Sequence, residues 1–555
     1  MYYNILNITH HINIMGVPSY FSFIVRNHPN IIKKYVKDVL KVDNLYLDCN
    51  SIIYDAYNKM DFSSLTESVA ISIINRVILK IEEYISVIKP SQTVIVAFDG
   101  VAPVAKLEQQ RSRRYKSWYL NEAKRTIFNK ETQDAWNTAA ITPGTKFMAE
   151  LNERVATHFN KEVSEKLNVH KIIVSGSNRA GEGEHKLFDF IRRNPTKHYA
   201  DTTVIYGLDA DLIMLSINHL PICPKIYLFR ETPHFIQSID QSLEPDAHYY
   251  LDIPELTAEI IKYMTNDNEL TTEKQRLVVY DYIFLCFFLG NDFLPHFPAL
   301  NIRTGGVDKM LNAYRATVGK TGETLIEGNI IVWKNVRQII QHLANLEEEY
   351  IIKEHKGRNN KERYLIPETS PEEKFKKFES TPIYERTMEK YINPFKPNWQ
   401  NRYYQGLFGS TKNIDSICIN YLEGLEWTMK YYTSGCPDWR WKYKYNYPPL
   451  LQDLIRVIPL YNTTFVPILQ ENPVSELVQL CYVLPRTSLD LLPAKLYFEL
   501  IRRYDHWYKG NCNFIWAYCR YFWESHVEMN EINITELETF IEENKHLLLT
   551  ASSTS

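Results

Sequence analysis

The eight cysteines of this 555-residue chain include no CxxC pair. That scatter excludes the usual structural zinc motifs and does not read as a secreted disulfide framework, so a reducing compartment is expected, the cytoplasm or alternatively the nucleus. Long hydrophobic runs are also lacking. The most apolar stretch, YIFLCFFLG at 282–290, is far too short to span a bilayer, and no membrane association is expected. The N-terminal MYYNILNITHHINIM has neither a basic n-region nor a continuous apolar core, so it is not read as a signal peptide. Charge of one sign is missing too: 63 basic against 66 acidic residues leave a net charge of −3. Any site for a polyanion must therefore be local.

What is present is a large folding unit rich in aromatics, at 13% of residues, with 45% hydrophobic and 23% charged residues. The length exceeds what one hydrophobic core usually serves, so more than one structural unit is expected. NLYLD (44–48), TVIVAFD (93–99), KIIVSG (171–176) and TVIYGLD (203–209) are short, apolar and β-rich, and amphipathic stretches such as 66–88 and 149–167 separate them. Strand and helix in alternation predict an α/β fold with a mostly parallel central sheet flanked by helices. In such sheets ligands bind beyond the carboxyl ends of the strands. Residues 1–14 read as an N-terminal extension, 15–310 as the core unit, and 311–394 as a charged, partly disordered insert or linker. An aromatic-rich, mainly helical second region follows at 395–530, packed on the first, and 531–555 reads as a tail.

Acids gather at the strand ends. Asp48, Asp99, Asp209 and Asp211 close three strands, Glu182 and Glu184 lie in AGEGEHK after the fourth, and Asp292 follows a buried-looking helix in LGNDFLP. The i, i+2 spacing of Asp209 and Asp211 puts both on one face if strand geometry persists. Any one of these acids alone is most simply a cap or turn residue. Seven of them beside apolar sequence are different, because burying several carboxylates uncompensated is prohibitive. A cation must sit among them. With oxygen ligands and no Cys/His set, Mg²⁺ or Mn²⁺ is expected, and two ions would fit so many acids. His185, without a second histidine nearby, reads as a supporting or structural group.

After Asp99 comes a basic stretch, with seven basic and two acidic residues from Lys106 to Arg125. Lys106, Gln110, Arg113 and Arg114 fall on one helical face. A solvated helix surface would look much the same. Its closeness to the acids favours a pocket for a terminal phosphate, with Arg forks, a Lys point charge and a neutral Gln donor.

Together these residues resemble the Xrn family of 5′→3′ exoribonucleases. The resemblance runs in order through MGVPSYFSFI, DNLYLDCNSIIY, VAFDGVAPVAKLEQQRSRRYK, ITPGTKFM, GEGEHK, YGLDADLI and FLGNDFLPHFPAL, then RYYQGLFG, GCPDWRWKYKYNYPP and VLPRTSLDLLP. It covers most of residues 15 to about 525 and implies a short form without the large C-terminal domains of long family members. It also implies a PIN/flap-nuclease-like core and a two-Mg²⁺ site on Asp48, Asp99, Glu182, Glu184, Asp209, Asp211 and Asp292. A 5′-monophosphate pocket would fall on Lys106, Gln110, Arg113 and Arg114. The implied activity is processive removal of mononucleotides from single-stranded RNA with a 5′-monophosphate, by a monomer. Bases would stack on Trp439 or Trp441. Tyr54 replaces the histidine that usually closes LDxNGIIH, and Ser51 replaces its glycine, so Tyr54 is a stacking candidate that cannot carry charge to a phosphate. A related flap-type or 5′→3′ DNA nuclease is the alternative, and an inactive RNA-binding scaffold is a third reading that the complete acid set argues against.

Overall fold

A computed structural model describes residues 20–35, 40–61, 67–129, 136–207, 209–231, 243–244, 247–265, 270–469, 471–509 and 513–549. The expected extension at 1–14 and the first five residues of MGVPSYFSFI lie outside the described residues. The chain is built on a seven-stranded sheet of order β1-β7-β6-β5-β2-β3-β4. Its strands are β1 (Ile32–Lys34), β2 (Asn44–Asp48), β3 (Thr93–Ala97), β4 (Lys171–Ser175), β5 (Thr203–Tyr206), β6 (Ile226–Glu231) and β7 (His248–Asp252). Pairings β6-β5, β5-β2, β2-β3 and β3-β4 are parallel, while β7 and β1 extend one edge antiparallel. The central strands β2, β3 and β5 are buried along their whole length, which is why they read as continuous apolar runs instead of alternating ones. β1, β6 and β7 had no strong sequence signal.

Helices cover both faces. On one, α2 (Asn50–Asn58) and α3 (Val69–Ile88) pack Ile52, Ile53, Ile73, Ile74, Val77, Ile81 and Ile85 against Leu45, Leu47, Val94 and Val96. On the other, α1 (Tyr20–Asn27), α6 (Gly183–Arg193) and α7 (Asp211–His219) join the largest core cluster. That cluster runs on through α8 (Thr272–Phe287) and α9 (Trp333–Glu362) into α10 (Ile414–Thr433), so the second region shares one core with the first. Two further helices matter for the site: α4 (Val104–Phe128), and α11 (Glu476–Val483), which packs along α4.

The stretch expected as a partly disordered linker is helical. α9 is 30 residues long, and the charged texture of 345–362 is its outer face. Val336, Ile339, Ile340, Leu343 and Ile351 form a buried stripe at helical spacing. A buried ion network then ties this segment down. Glu389, 1% exposed, accepts from Arg358 Nε at 2.9 Å and Arg386 Nε at 2.6 Å, and its other oxygen accepts from the Tyr518 amide at 2.8 Å. The tail reading needs a similar correction: α12 (Ile534–Glu543) buries Leu537, Phe540 and Ile541 against the Val478–Leu484 core. Both misreadings have one cause, since a helix with a narrow apolar stripe looks polar when composition is averaged along it.

Removing one partner of a buried ion pair leaves the others unpaired, at a cost of about 3–5 kcal/mol. Glu389→Ala should therefore lower unfolding stability by that order, while Glu349→Ala, on the exposed face of α9, should change it by less than about 0.5 kcal/mol. Chemical denaturation of the two variants checks this, and equal effects would refute the packed reading of 345–390.

Candidate active site

All seven acids meet at the carboxyl ends of the parallel strands. Asp48 ends β2, Asp99 lies two residues past β3, and Glu182 and Glu184 open α6 beyond β4. Asp209 and Asp211 lie between β5 and α7. The chain runs outward from β2 to β3 and β4, then returns to place β5 on the other side of β2. Asp48 and Asp209 thus flank the point where the winding reverses, the usual ligand position in open α/β sheets. The strand reasoning for Asp209 and Asp211 does not hold, because β5 stops at Tyr206. They converge through a turn instead: the Asp211 amide donates to Asp209 Oδ1 at 3.1 Å. Asp292 arrives from a separate turn after α8.

The carboxylates are crowded and dry. Glu182, Glu184 and Asp211 are 1%, 2% and 3% exposed. One oxygen each of Asp48, Asp99 and Glu184 lie within 4.8 Å of one another, and the same holds for Glu182, Glu184 and a ring nitrogen of His185. Burial first, and neighbouring acids second, push Asp48, Asp99, Glu184 and Asp211 above the ordinary carboxylate range, and Asp209 up to about 7. Asp48 Oδ1, Asp209 Oδ2 and Asp211 Oδ1 are buried without a hydrogen-bond partner. Unsatisfied buried acceptors facing one another are what a hard divalent cation needs. Gly183 permits the approach, since a Cβ there would stand 2.5 Å from Asp48 Oδ1. The donor set fits a divalent-metal site.

The remaining oxygens are tied down by neighbours that sequence reasoning did not single out. Asn50 Nδ2 donates to Asp99 Oδ2 at 2.5 Å, and the Gly183 amide donates to Asp99 Oδ1 at 2.6 Å. Gln109 Nε2 donates to Asp292 Oδ1 at 2.9 Å. From the second region, Tyr431 of α10 donates to Glu182 Oε2 at 2.7 Å, and the next residue, Tyr432, bonds Asp211. Two consecutive tyrosines just before GCPDW were the only signal available. Tyr431 also lies face to face with His185 at 3.8 Å and continues through Trp427 to Trp441 as a stacked column. His185 is held well below its usual pKa by burial, then by Arg192 and Lys106, so it stays neutral.

The expected phosphate pocket is divided. Lys106 does not stand with the other three: its ammonium bonds Asp292 and lies 2.7 Å from Glu182 Oε1. Burial alone would lower its pKa, but Asp292, Glu182, Glu184 and Asp209 outweigh that and hold it well above the normal value. Gln110 is buried with Oε1 unpartnered, and Arg114 has a buried, unpartnered Nε. Burial lowers Arg114 to about 10, against the pull of the nearby Tyr54 hydroxyl and with the push of Arg113. The structure therefore brings Tyr54, Arg113 and Arg114 together on α2 and α4. The two tryptophans also part company. Trp441 is buried on Trp427 and donates to Glu423, whereas Trp439 is half-buried and uses its carbonyl to accept from the Val104 amide at the start of α4.

Comparison with known proteins finds matches over most of the chain. The model described as XRN 5′-3′ exonuclease N-terminus matches residues 15–232, and that described as Xrn1 helical domain matches 272–394 and 369–507. The chain belongs to the Xrn family. It is 26% identical to the 5′-3′ exoribonuclease 2 homolog of Drosophila melanogaster over 86% of this chain and 65% of that protein. Identity is 27% to 5′-3′ exoribonuclease 1 of Schizosaccharomyces pombe and 26% to that of Homo sapiens, again over 86% of this chain but 44% and 31% of theirs. The chain thus spans from 31% to 65% of the length of these relatives. This Xrn chain carries its α/β core and its helical region as one packed unit, and among the described residues no helix is long and apolar enough to cross a membrane.

Two outcomes follow from the acid cluster. Mg²⁺ or Mn²⁺ should raise the thermal midpoint of the native protein, and Asp48→Asn with Asp209→Asn should abolish that rise. Carboxylates whose pKa is raised must lose protons to a bound cation, so cation affinity should increase from about pH 6 to about pH 8, with proton release on binding. Calorimetry in buffers of different ionisation enthalpy measures the release, and a pH-independent affinity would contradict the crowding described.

Proposed function

We propose that this Xrn-family chain is a 5′→3′ exoribonuclease that processively removes mononucleotides from single-stranded RNA bearing a 5′-monophosphate, acting as a cytoplasmic monomer in RNA turnover. The observation that carries this reading is a rim of seven acids, with unpartnered buried oxygens, at the start of a helix whose Arg114 keeps a buried, unpartnered Nε. Asp48, Asp99, Glu182, Glu184, Asp209, Asp211 and Asp292 would hold two Mg²⁺ or Mn²⁺ ions. Such ions supply Lewis-acid stabilisation of the scissile phosphate and ease ionisation of the attacking water.

The chain's own groups set orientation. Arg113 and Arg114 offer forks to the terminal phosphate, and Gln110 contributes a neutral donor beside them. Lys106, from the same helix face, ties that pocket to Asp292 and Glu182 and so fixes its distance from the acids. Asn50 and Gln109 leave Asp99 and Asp292 little freedom to turn. Trp439 is the preferred stacking platform because it is half-buried where Trp441 is buried, and Tyr54 offers a second ring next to Arg114. Stacking contributes roughly 1–3 kcal/mol per base and tolerates any sequence.

Matched RNAs with 5′-monophosphate, 5′-hydroxyl and 5′-triphosphate ends, beside a DNA of the same sequence, test the proposal. Only the monophosphate RNA should decay rapidly, and Asp209→Ala with Asp211→Ala should stop it. Arg113→Ala with Arg114→Ala should erase the preference for the monophosphate end while the metal-induced rise in thermal midpoint persists. Equal decay of hydroxyl-ended RNA, or faster decay of DNA, would overturn the reading.

A further inference from the structure

Behind α4, lined by its Arg113 but not by Gln110 or Arg114, lies a cavity of about 880 Å³. Its wall includes Gln109 and Asp292, which belong to the acid cluster, and also Asn301, Arg303 and Trp523. Asn301 and Arg303 are shared with an adjoining pocket of about 20 Å³, which is completed by Lys361, Arg520 and their neighbours. The acid cluster and this second, cationic pocket are therefore joined by one continuous lining.

The cations of the small pocket are unevenly matched. Arg358 is paired with Glu389, and Arg303 lies 2.7 Å from Glu524. Lys361 has no hydrogen bond or ion pair from its ammonium among the described residues, and the Arg520 guanidinium has no hydrogen-bond partner, with Nε buried. Burial, then the charge of Arg520, lowers the Lys361 pKa, against the pull of Glu354. The lining also holds one carboxylate, Glu354, 4.0 Å from the Arg358 guanidinium, and the buried Arg520 Nε is left without an acceptor. Beside it, the Tyr521 and Trp523 rings lie nearly parallel, 5.9 Å apart at 13°, and both are partly exposed. Arg520 stands 5.1 Å from the Tyr521 ring, and Arg303 5.8 Å from Tyr521 and 6.0 Å from Trp523. Donors for a phosphate and a flat apolar surface for a base thus adjoin each other.

We propose that Arg303, Lys361 and Arg520, with Tyr521 and Trp523, form a binding site for a free nucleoside 5′-monophosphate at the end of the cavity behind α4. This rests on the proposed activity, whose product belongs to that class. Phosphate oxygens enter the small pocket, which has room for only one or two water-sized atoms. The nucleoside stays in the larger cavity against Trp523, whose ring lies nearly parallel to that of Tyr521. The cavity is lined by Asp292 of the acid cluster, by Arg113 of the proposed end pocket and by Arg303, so it connects the reacting end of the strand with the small pocket.

Calorimetric titration with 5′-AMP, adenosine, inorganic phosphate and a 5′-hydroxyl oligonucleotide tests the site, with EDTA present and in an Arg113→Ala/Arg114→Ala background, so that neither the acids nor the proposed end pocket contributes. AMP should bind once per chain and at least tenfold tighter than adenosine or phosphate. Adding Lys361→Ala and Arg520→Ala should weaken it at least tenfold, and Lys361→Glu alone should do so comparably, with thermal midpoints confirming folding. AMP affinity unchanged by these substitutions would overturn the inference, as would phosphate binding as tightly as AMP, or a loss confined to the oligonucleotide. RNA decay without AMP binding refutes this site alone, whereas AMP binding that depends on Lys361 and Arg520 in a chain that degrades no RNA refutes the proposed activity and leaves the site standing.

Discussion

Mutual repulsion among buried carboxylates is the constraint around which this molecule is arranged. Four parallel strands deliver six acids to one rim and a turn after α8 delivers the seventh. Each would be tolerable in water, and together in a dry setting they are not. The neighbouring features make sense as responses to that problem. Lys106 reaches in from α4 to sit between Glu182 and Asp292. Asn50, Gln109, Tyr431 and Tyr432 each occupy a carboxylate oxygen, and the oxygens left over face inward. The site is thereby preorganised for cations without having to rearrange around them, which is the condition under which electrostatic stabilisation of a transition state is strongest.

The second region is therefore more than a lid on a finished site. α10 supplies Tyr431 and Tyr432, and the column His185, Tyr431, Trp427, Trp441 carries that contact from the acid rim into the helical core. At the start of α4, the Ala102 amide donates to Gln479 Oε1 from α11, and the Val104 amide donates to the Trp439 carbonyl. The helix that bears the basic residues is thus anchored at its N-terminus by residues more than 300 positions later. A shift of α4 would therefore move Lys106, which touches the acids, and Arg114 together.

Local sequence carried part of this clearly. Of the four strands that end at the site, β2, β3 and β5 were legible because strands buried on both faces are apolar throughout, β4 because KIIVS is short and β-rich, and acids after them stand out. The strands beyond β5, namely β6, β7 and β1, were not, since partly buried strands mixing Lys, Arg, Tyr and Asp have no comparable signature. α9 was lost for a related reason: its apolar stripe is narrow, and its buried His355, Arg358 and Glu347 look like surface residues until their partners are known.

The sequence by itself determined the fold class, the family and the seven acids, because each rests on residues close together in the chain: apolar runs, the turns that follow them, and motifs in a fixed order. Tertiary structure alone decided how those groups are employed. It turned Lys106 toward Glu182 and Asp292, left Trp439 half-buried while burying Trp441, brought Tyr431 to Glu182 across 249 positions, and opened a cavity along α4. These choices depend on which side chains lose their water to distant partners, and desolvation is a property of packing that no local pattern records.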